Sequence, residues 1–195
     1  ISSIVIHPHD PDIVYIGLRY SGVYKSTDGG ESWEPRNHGL LSLDVRSLAI
    51  DPKHPNILYV GLGEGVGIFK STDGGETWQE INKGIQVECP SYLLRVGQVQ
   101  PGISLEKPRR VIGGEYWEVP WTAITTIVVD PIDTEIVYAG DQHSGVYMSC
   151  DGGANWAPIN EGLTIKAISL LTVSEHGNIL YAGTEGGGVF RLELW

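Results

Sequence analysis

The chain has 195 residues, enough to bury a sizeable core in one or two domains. It carries 13 Lys and Arg against 24 Asp and Glu, a net charge of −11, and so lacks the basic footprint that a nucleic acid or an anionic membrane surface requires. With 26 Gly, 11 Pro, 9 Tyr and 6 Trp but only 2 Phe and 1 Met, its composition is that of a turn-rich all-β protein. No apolar run approaches the roughly 18 residues of a membrane span, and no basic-then-apolar leader is visible. The chain starts at Ile1 rather than Met, which implies that a native N-terminus has been removed. Cys89 and Cys150 are too few for a disulfide framework, and no metal-ligand or other cofactor spacing is present.

Taken in order, the chain repeats itself. The first unit has Ile4-Val5-Ile6-His7-Pro8, then Ile13-Val14-Tyr15-Ile16-Gly17, then Gly22-Val23-Tyr24-Lys25. It reaches the turn Ser26-Thr27-Asp28-Gly29-Gly30-Glu31-Ser32-Trp33. The second has Leu48-Ala49-Ile50-Asp51-Pro52, Ile57-Leu58-Tyr59-Val60-Gly61 and Gly67-Ile68-Phe69-Lys70, with its turn from Ser71 through Asp73, Gly74 and Gly75 to Trp78. The third has Ile127-Val128-Val129-Asp130-Pro131, Ile136-Val137-Tyr138-Ala139-Gly140 and Gly145-Val146-Tyr147-Met148, with a turn from Ser149 through Asp151, Gly152 and Gly153 to Trp156. The fourth has Leu171-Thr172-Val173, Ile179-Leu180-Tyr181-Ala182-Gly183 and Gly188-Val189-Phe190-Arg191, and no Asp turn.

Each unit predicts four short antiparallel strands, a to d, with d beginning at the Trp. Four strands in about 40–50 residues is the period of a β-propeller blade. The predicted fold is therefore an all-β propeller or part-propeller in a single domain, with blades at about 1–43, 44–87, 123–165 and 166–195. The fourth blade lacks strand d. A loosely closed four-bladed ring, a fragment of a longer propeller, and two chains joining edges into one ring all fit that pattern; an open edge favours the last two.

The repeated Tyr falls at 15, 59, 138 and 181, so the second interval is 35 residues longer than the first. The extra segment, 88–122, is net neutral, and its Tyr92, Leu93, Leu94, Val111, Ile112 and Trp117 predict an ordered hairpin or flap rather than disorder.

The Asp turns have a clear structural chemistry. The carboxylates of Asp28, Asp73 and Asp151 can accept backbone N–H groups a few residues on. Gly29, Gly74 and Gly152 supply positive φ, and Trp33, Trp78 and Trp156 offer large apolar anchors. Three copies of Ser-x-Asp-Gly-Gly-x-x-Trp, each after Gly-(Val/Ile)-(Tyr/Phe)-x, resemble the Asp-box, or bacterial neuraminidase repeat, class of β-propellers. The lead-in strands look most like those of sortilin-like receptors, photosystem II assembly factors and xyloglucanase-type glycoside hydrolases. The resemblance implies that the Asp turns are structural and lie away from the ligand face. It leaves activity open. The three arginines, Tyr–Glu pair and Arg-Ile-Pro stretch of a sialidase are not in place.

Ligand-face candidates then fall on the b–c and d–a loops. Glu64, Asp141 and Glu185 are candidate acid–base carboxylates for glycoside cleavage, and His143 is a candidate base or binding group. Arg19 and Tyr20 are exposed-loop binding candidates. Arg109, Arg110, Tyr116, Trp117 and Trp121 in the 88–122 segment combine cations with aromatic faces, as protein hot spots and sugar platforms do. The leading expectation is a non-enzymatic, secreted or periplasmic interaction or scaffold propeller that docks a protein partner through 88–122 and neighbouring loops. The alternative is a carbohydrate-active protein, a glycosidase fragment or sugar-binding module.

Overall fold

The computed structural model describes residues 1–85 and 123–194, together with the backbone of two strands at 109–112 and 115–118. Among the described residues there is no helix. The first sheet contains β1 (Ser3–Ile6), β2 (Val14–Leu18), β3 (Gly22–Ser26) and β4 (Glu34–Pro35), in that spatial order. The second contains β5 (Val45–Ile50), β6 (Leu58–Leu62), β7 (Gly67–Ser71) and β8 (Gln79–Glu80). Within the extra segment, β9 (Arg109–Ile112) and β10 (Glu115–Glu118) pair as a two-stranded antiparallel sheet. The third sheet contains β11 (Ile124–Val129), β12 (Val137–Asp141), β13 (Gly145–Ser149) and β14 (Ala157–Pro158). The last has three strands, β15 (Ile168–Val173), β16 (Ile179–Thr184) and β17 (Gly188–Glu193).

Every pairing in the four main sheets is antiparallel between chain neighbours, the meander expected of propeller blades. The registers are homologous: Tyr15 opposes Lys25, Tyr59 opposes Lys70, Tyr138 opposes Met148 and Tyr181 opposes Arg191. Strand d proves to be two residues long and to start after the Trp, because the Trp backbone serves the neighbouring sheet instead. The N–H of Trp78 donates to the His38 carbonyl and that of Trp156 to the Lys83 carbonyl, both at 2.9 Å.

The core is a series of seams between sheets. Val23 and Tyr15 of the first sheet pack with Val45, Leu48 and Leu58 of the second. Tyr59 and Ile68 meet Ile124 and Ile127 of the third, and Tyr138 and Val146 meet Ile168, Leu171 and Leu180 of the fourth. Each strand a thus covers strands a and b of the sheet before it. The strand-a backbone is fastened by a hydroxyl from that preceding sheet: Ser3 Oγ accepts Leu48 N–H at 3.0 Å, Ser47 Oγ accepts Ile127 N–H at 3.0 Å, and Thr126 Oγ1 accepts Leu171 N–H at 3.2 Å. Burying these apolar faces supplies the driving force, and the hydroxyls fix the register between sheets.

Candidate functional site

The three Asp turns share one hydrogen-bond cage. The hydroxyls of Ser26, Ser71 and Ser149 donate to Oδ1 of Asp28, Asp73 and Asp151 at 2.7, 2.7 and 2.8 Å. The same hydroxyls accept the N–H of Gly30, Gly75 and Gly153 at 2.8, 2.9 and 2.8 Å. Each Oδ1 also accepts the backbone N–H of Ser32, Thr77 or Asn155, at 2.9, 2.9 and 2.8 Å, while the side chain of that residue donates to Oδ2.

Donation from the Ser32 and Thr77 side chains is the largest cause holding the carboxyls of Asp28 and Asp73 down at about 2, and the Asn155 amide lowers Asp151 in the same sense. A depressed carboxyl contributes stability that is full above the unfolded-chain pKa of about 4 and is lost as pH falls through the folded value. The urea midpoint is therefore expected to fall steeply between about pH 4 and pH 2. Asp73→Asn is expected to start lower at neutral pH and to fall less over that window; an unchanged slope would show that the cage is not the acid-labile element.

The second and third cages are also read by the sheet before them. Tyr15 Oη donates to the Gly74 carbonyl at 2.9 Å and Tyr59 Oη to the Gly152 carbonyl at 3.2 Å. Lys25 and Lys70 donate to the same two carbonyls, at 3.4 and 2.7 Å, with their ammonium groups over the Tyr15 and Tyr59 rings. In the other direction the Trp78 indole N–H donates to the Arg36 carbonyl at 2.9 Å, and the Trp156 indole to the Ile81 carbonyl at 2.8 Å. Trp33, in the first sheet, turns its indole back to Gly30 of its own turn, at 3.1 Å. Burial raises the Tyr59 phenol well above its ordinary range and pushes Tyr138 up to about 12. Cys150, in the third turn, is an exposed free thiol.

On the b–c and d–a side the structure gathers one charged cluster. Asp44, on the d–a loop before β5, is buried to 1% exposure. Arg19 Nε lies 2.7 Å from its Oδ1, and Arg46 Nε and Nη2 lie 2.8 Å from its Oδ2. Two guanidinium groups around one buried carboxylate satisfy that charge, which would otherwise be costly to hold out of water. The Arg19 guanidinium also sits 5.5 Å over the Tyr20 ring, and Tyr20 is 66% exposed. Glu64, exposed on the next b–c loop, accepts from Ser42 Oγ at 2.8 Å, and Ser42 in turn accepts the Asp44 N–H at 3.0 Å. Tyr20 and Glu64 have φ of 66° and 60°, left-handed values that cost a side-chain-bearing residue about 1–2 kcal/mol each. Such strain is held where the surroundings over-determine it, often at binding loops.

The structure thus brings Arg19, Tyr20 and Glu64 together around Ser42, Asp44 and Arg46. Asp141 stands apart in the third sheet, buried, with Oδ1 accepting the N–H groups of His143 and Ser144 at 2.8 and 2.7 Å and Oδ2 accepting Ala123 N–H at 3.1 Å. His143 is exposed on that loop, and Glu185 is exposed on the corresponding loop of the fourth sheet. Arg109 and Arg110 lie on β9 and Tyr116 and Trp117 on β10, Trp117 opposite Arg110. Their side chains, like Trp121 and Cys89, lie outside the described residues. Among the described residues no group of three or more His, Cys, Asp or Glu could hold a metal ion, and no helix is long and apolar enough to cross a membrane.

The sequence reading missed two features. Asp44 is the centre of the cluster, yet its only signal was the Asp44-Val45-Arg46 run at a sheet boundary. Asn37, Asn82 and Asn160, in a repeated Asn-x-Gly-(Leu/Ile), accept the N–H of Val23, Ile68 and Val146 at 2.7 Å and close the outer edge of each complete sheet.

The family model for the BNR/Asp-box repeat matches residues 24–35 and 69–80. The third turn makes the same cage with Cys150 and Ala154 substituted into the pattern. No curated protein matches the sequence. Among solved structures, the chain is similar to YCF48 bound to D1 peptide, with 18% identity and a TM-score of 0.54 over 98% of this chain and 50% of that one. It is similar to Kuenenia stuttgartiensis hydrazine synthase, with 12% identity and a TM-score of 0.61 over 98% of this chain and 45% of that one. An ancestral GH74 enzyme is 23% identical, with a TM-score of 0.47 over 93% of this chain and 27% of that one. The chain therefore spans between about a quarter and a half of the structures it resembles. The fold is a β-propeller, and the chain carries BNR/Asp-box repeats.

Proposed function

We propose that this chain is a non-enzymatic, extracytoplasmic protein-interaction propeller that docks a protein partner on its b–c/d–a loop face, with Arg19, Tyr20 and His143 contributing alongside the 88–122 segment. The observation that carries this reading is the way the loop face distributes its charges. Asp44 and Asp141 are buried and engaged in ion pairs or by backbone N–H groups, whereas Arg19 and Tyr20 stand outward as a stacked cation and aromatic ring. Glycoside cleavage asks for a pair of carboxyl groups free to exchange protons with substrate, and Asp141 has both oxygens bound internally. A stacked Arg–Tyr pair is instead the residue chemistry of protein hot spots. The YCF48 structure, which shares this fold, holds a peptide.

The test pairs two measurements. The wild-type chain is expected to retain a protein partner from its native extract that the Arg19→Glu/Tyr20→Ala double variant does not retain. Both are expected to show no turnover on xyloglucan and aryl glycosides. Hydrolysis that is abolished by Glu64→Gln or Glu185→Gln would overturn the reading. Arg19 also neutralises the buried Asp44, so the double variant is expected to lose stability as well; the Tyr20→Ala single variant, whose ring is 66% exposed, is expected to keep the wild-type Tm, and an interaction lost in it reports on the surface.

A second copy of the chain is a partner favoured by a separate observation. Ile1 and Ile4 are 82% and 60% exposed, while their counterparts in the next sheets, Val45 and Leu48, Ile124 and Ile127, Ile168 and Leu171, are buried against the preceding sheet. At the other end, Gly183 presents the strand-b notch that Gly17, Gly61 and Gly140 use to receive a following strand a. Sedimentation is expected to give twice the 21.2 kDa of one chain; a monodisperse single-chain mass would remove this partner.

A further inference from the structure

The loop between β4 and β5 is built inside out. Residues 39–44 and 162–167 hold homologous places, before the second and the fourth sheet, and their ends are tied alike. The N–H groups of Leu40 and Leu163 both donate at 3.1 Å, to the carbonyls of Asn37 and Asn160. At the other end the carbonyls of Asp44 and Ala167 both accept at 2.9 Å, from Gly63 and Glu185. In the later loop Thr164 and Lys166 are exposed while Ile165 and Ala167 are half-buried, the arrangement that burial preference dictates. In the earlier loop the order is reversed: Leu41 and Leu43 are 50% and 44% exposed, whereas Ser42 and Asp44 are 8% and 1% exposed. The repeat accepts the ordinary pattern at this place, so the fold does not impose the reversal. It bares apolar surface and buries a charge, and both changes cost stability.

Two more departures from the repeat fall at the same spot. Ser2, Arg46 and Thr125 are homologous, each preceding the residue that pairs with Gly17, Gly61 or Gly140. Ser2 and Thr125 each donate at 2.7 Å to the following sheet, to the carbonyls of Val45 and Ile168. Arg46 turns to Asp44 instead, and the second sheet forgoes that link to the third. Asp44 itself stands where the third and fourth sheets have Ala123 and Ala167. The b–c turn of the first sheet lies against this loop, since the Gly22 N–H donates to the Leu43 carbonyl at 2.9 Å, and it carries the exposed Tyr20. A repeat that breaks its own rules without a gain in packing marks a functional surface.

What the patch offers defines its occupant. Asp44 engages Nε of Arg19 and both Nε and Nη2 of Arg46, and Arg19 Nη2 reaches Tyr20 Oη at 3.4 Å. Among the described residues neither arginine's Nη1 has a hydrogen-bond acceptor, although the side chains are 44% and 22% exposed. Two cations around one buried anion leave a positive charge to be matched. Glu64, the exposed carboxylate held by Ser42, limits the match to a single acid. We propose that Tyr20, Leu41, Leu43 and the two arginines receive an extended segment of a partner protein in which one Asp or Glu is flanked by apolar side chains. The carboxylate meets the free guanidinium edges, the partner for which arginine's planar fork is suited, and its apolar neighbours cover Leu41 and Leu43. Asp44 is a positioning residue that holds both guanidinium groups in place. This rests on the reading of the loop face as a protein-docking surface and names what that surface selects.

The test begins with random twelve-residue peptides displayed on phage and selected on the purified 195-residue chain. Sequences with a single Asp or Glu between apolar residues are expected to be enriched. One of them, synthesised with both ends capped, is expected to bind saturably by fluorescence anisotropy. Replacing its acid by the amide is expected to weaken binding at least about tenfold and to flatten its dependence on salt. Leu41→Ser/Leu43→Ser in the protein is expected to weaken binding by a similar factor while the Tm stays level or rises, because both leucines are exposed. Absence of any enriched sequence, enrichment of basic or wholly apolar peptides, binding that needs an uncapped C-terminal carboxylate, or equal affinity of the Leu→Ser variant overturns the inference. If one of these results is found while Tyr20→Ala still releases the native partner, the docking reading stands and only this occupant falls. If the native partner is not retained either, both fall.

Discussion

Trp156→Ala is expected to destabilise the chain by about 3–5 kcal/mol, the cost of emptying a large buried aromatic site, whereas Trp33→Ala is expected to cost much less. Both residues hold the same position in the same turn, and their sequences alone would assign them equal value. Trp156 is buried and packs in one cluster with Tyr59, Tyr147 and Ile127, with Ile81 against it and its indole on the Ile81 carbonyl. Trp33 is half-buried, and its indole bonds within its own turn. Urea denaturation of the two variants checks this directly: the midpoint of Trp156→Ala should drop far below that of Trp33→Ala at similar m. Equal losses would mean that the indoles stabilise their own turns rather than the seams.

A second pair of variants tests the seams from the opposite side. Gly61→Ala places a Cβ 2.6 Å from Ile124 Cγ2 and 2.8 Å from the Ile124 carbonyl oxygen. A backbone atom cannot swing aside, so a cost of about 1–3 kcal/mol is expected from overpacking. Gly183→Ala holds the equivalent place in the fourth sheet, where the nearest neighbour is 3.6 Å away. There the substitution is expected to be neutral or to stabilise by about 0.4–1 kcal/mol, through the lower entropy of the unfolded chain. Thermal unfolding at low protein concentration separates the two. If a second copy closes over Gly183, that variant should also dissociate more readily, so its Tm should acquire the weaker concentration dependence.

Much of the fold was legible because each strand carries its own signal. The runs around Tyr15, Tyr59, Tyr138 and Tyr181 are β-branched and bounded by glycine, and Asp-Gly-Gly marks the turn after each complete strand c. The shortened fourth unit was legible for the same reason, since Leu192 and Leu194 stand where a Ser and an Asp were due. What periodicity could not give was the partner of each repeated residue. A repeat says that Trp33, Trp78 and Trp156 are equivalent; it does not say that two of them fasten to the sheet before. Strand d was placed too early for this reason, because the Trp backbone was assigned to its own sheet. The Arg19–Asp44–Arg46 cluster was hidden by the same blindness: its members are 25 or more residues apart in part, and only the packing of one sheet's loop on the next brings Arg19 to Asp44.

The bonds between sheets also run in a fixed sense. Tyr15, Lys25, Tyr59 and Lys70 reach forward to the next turn, and the indoles of Trp78 and Trp156 reach back. The array therefore has polarity, like a row of plugs and sockets. Head-to-head joining would set two identical faces together, neither of which carries the other's counterpart. Head-to-tail joining must either close on itself or keep growing. If two copies joined in this sense, the two joints would be identical, each repeating the bonds that already link one sheet to the next.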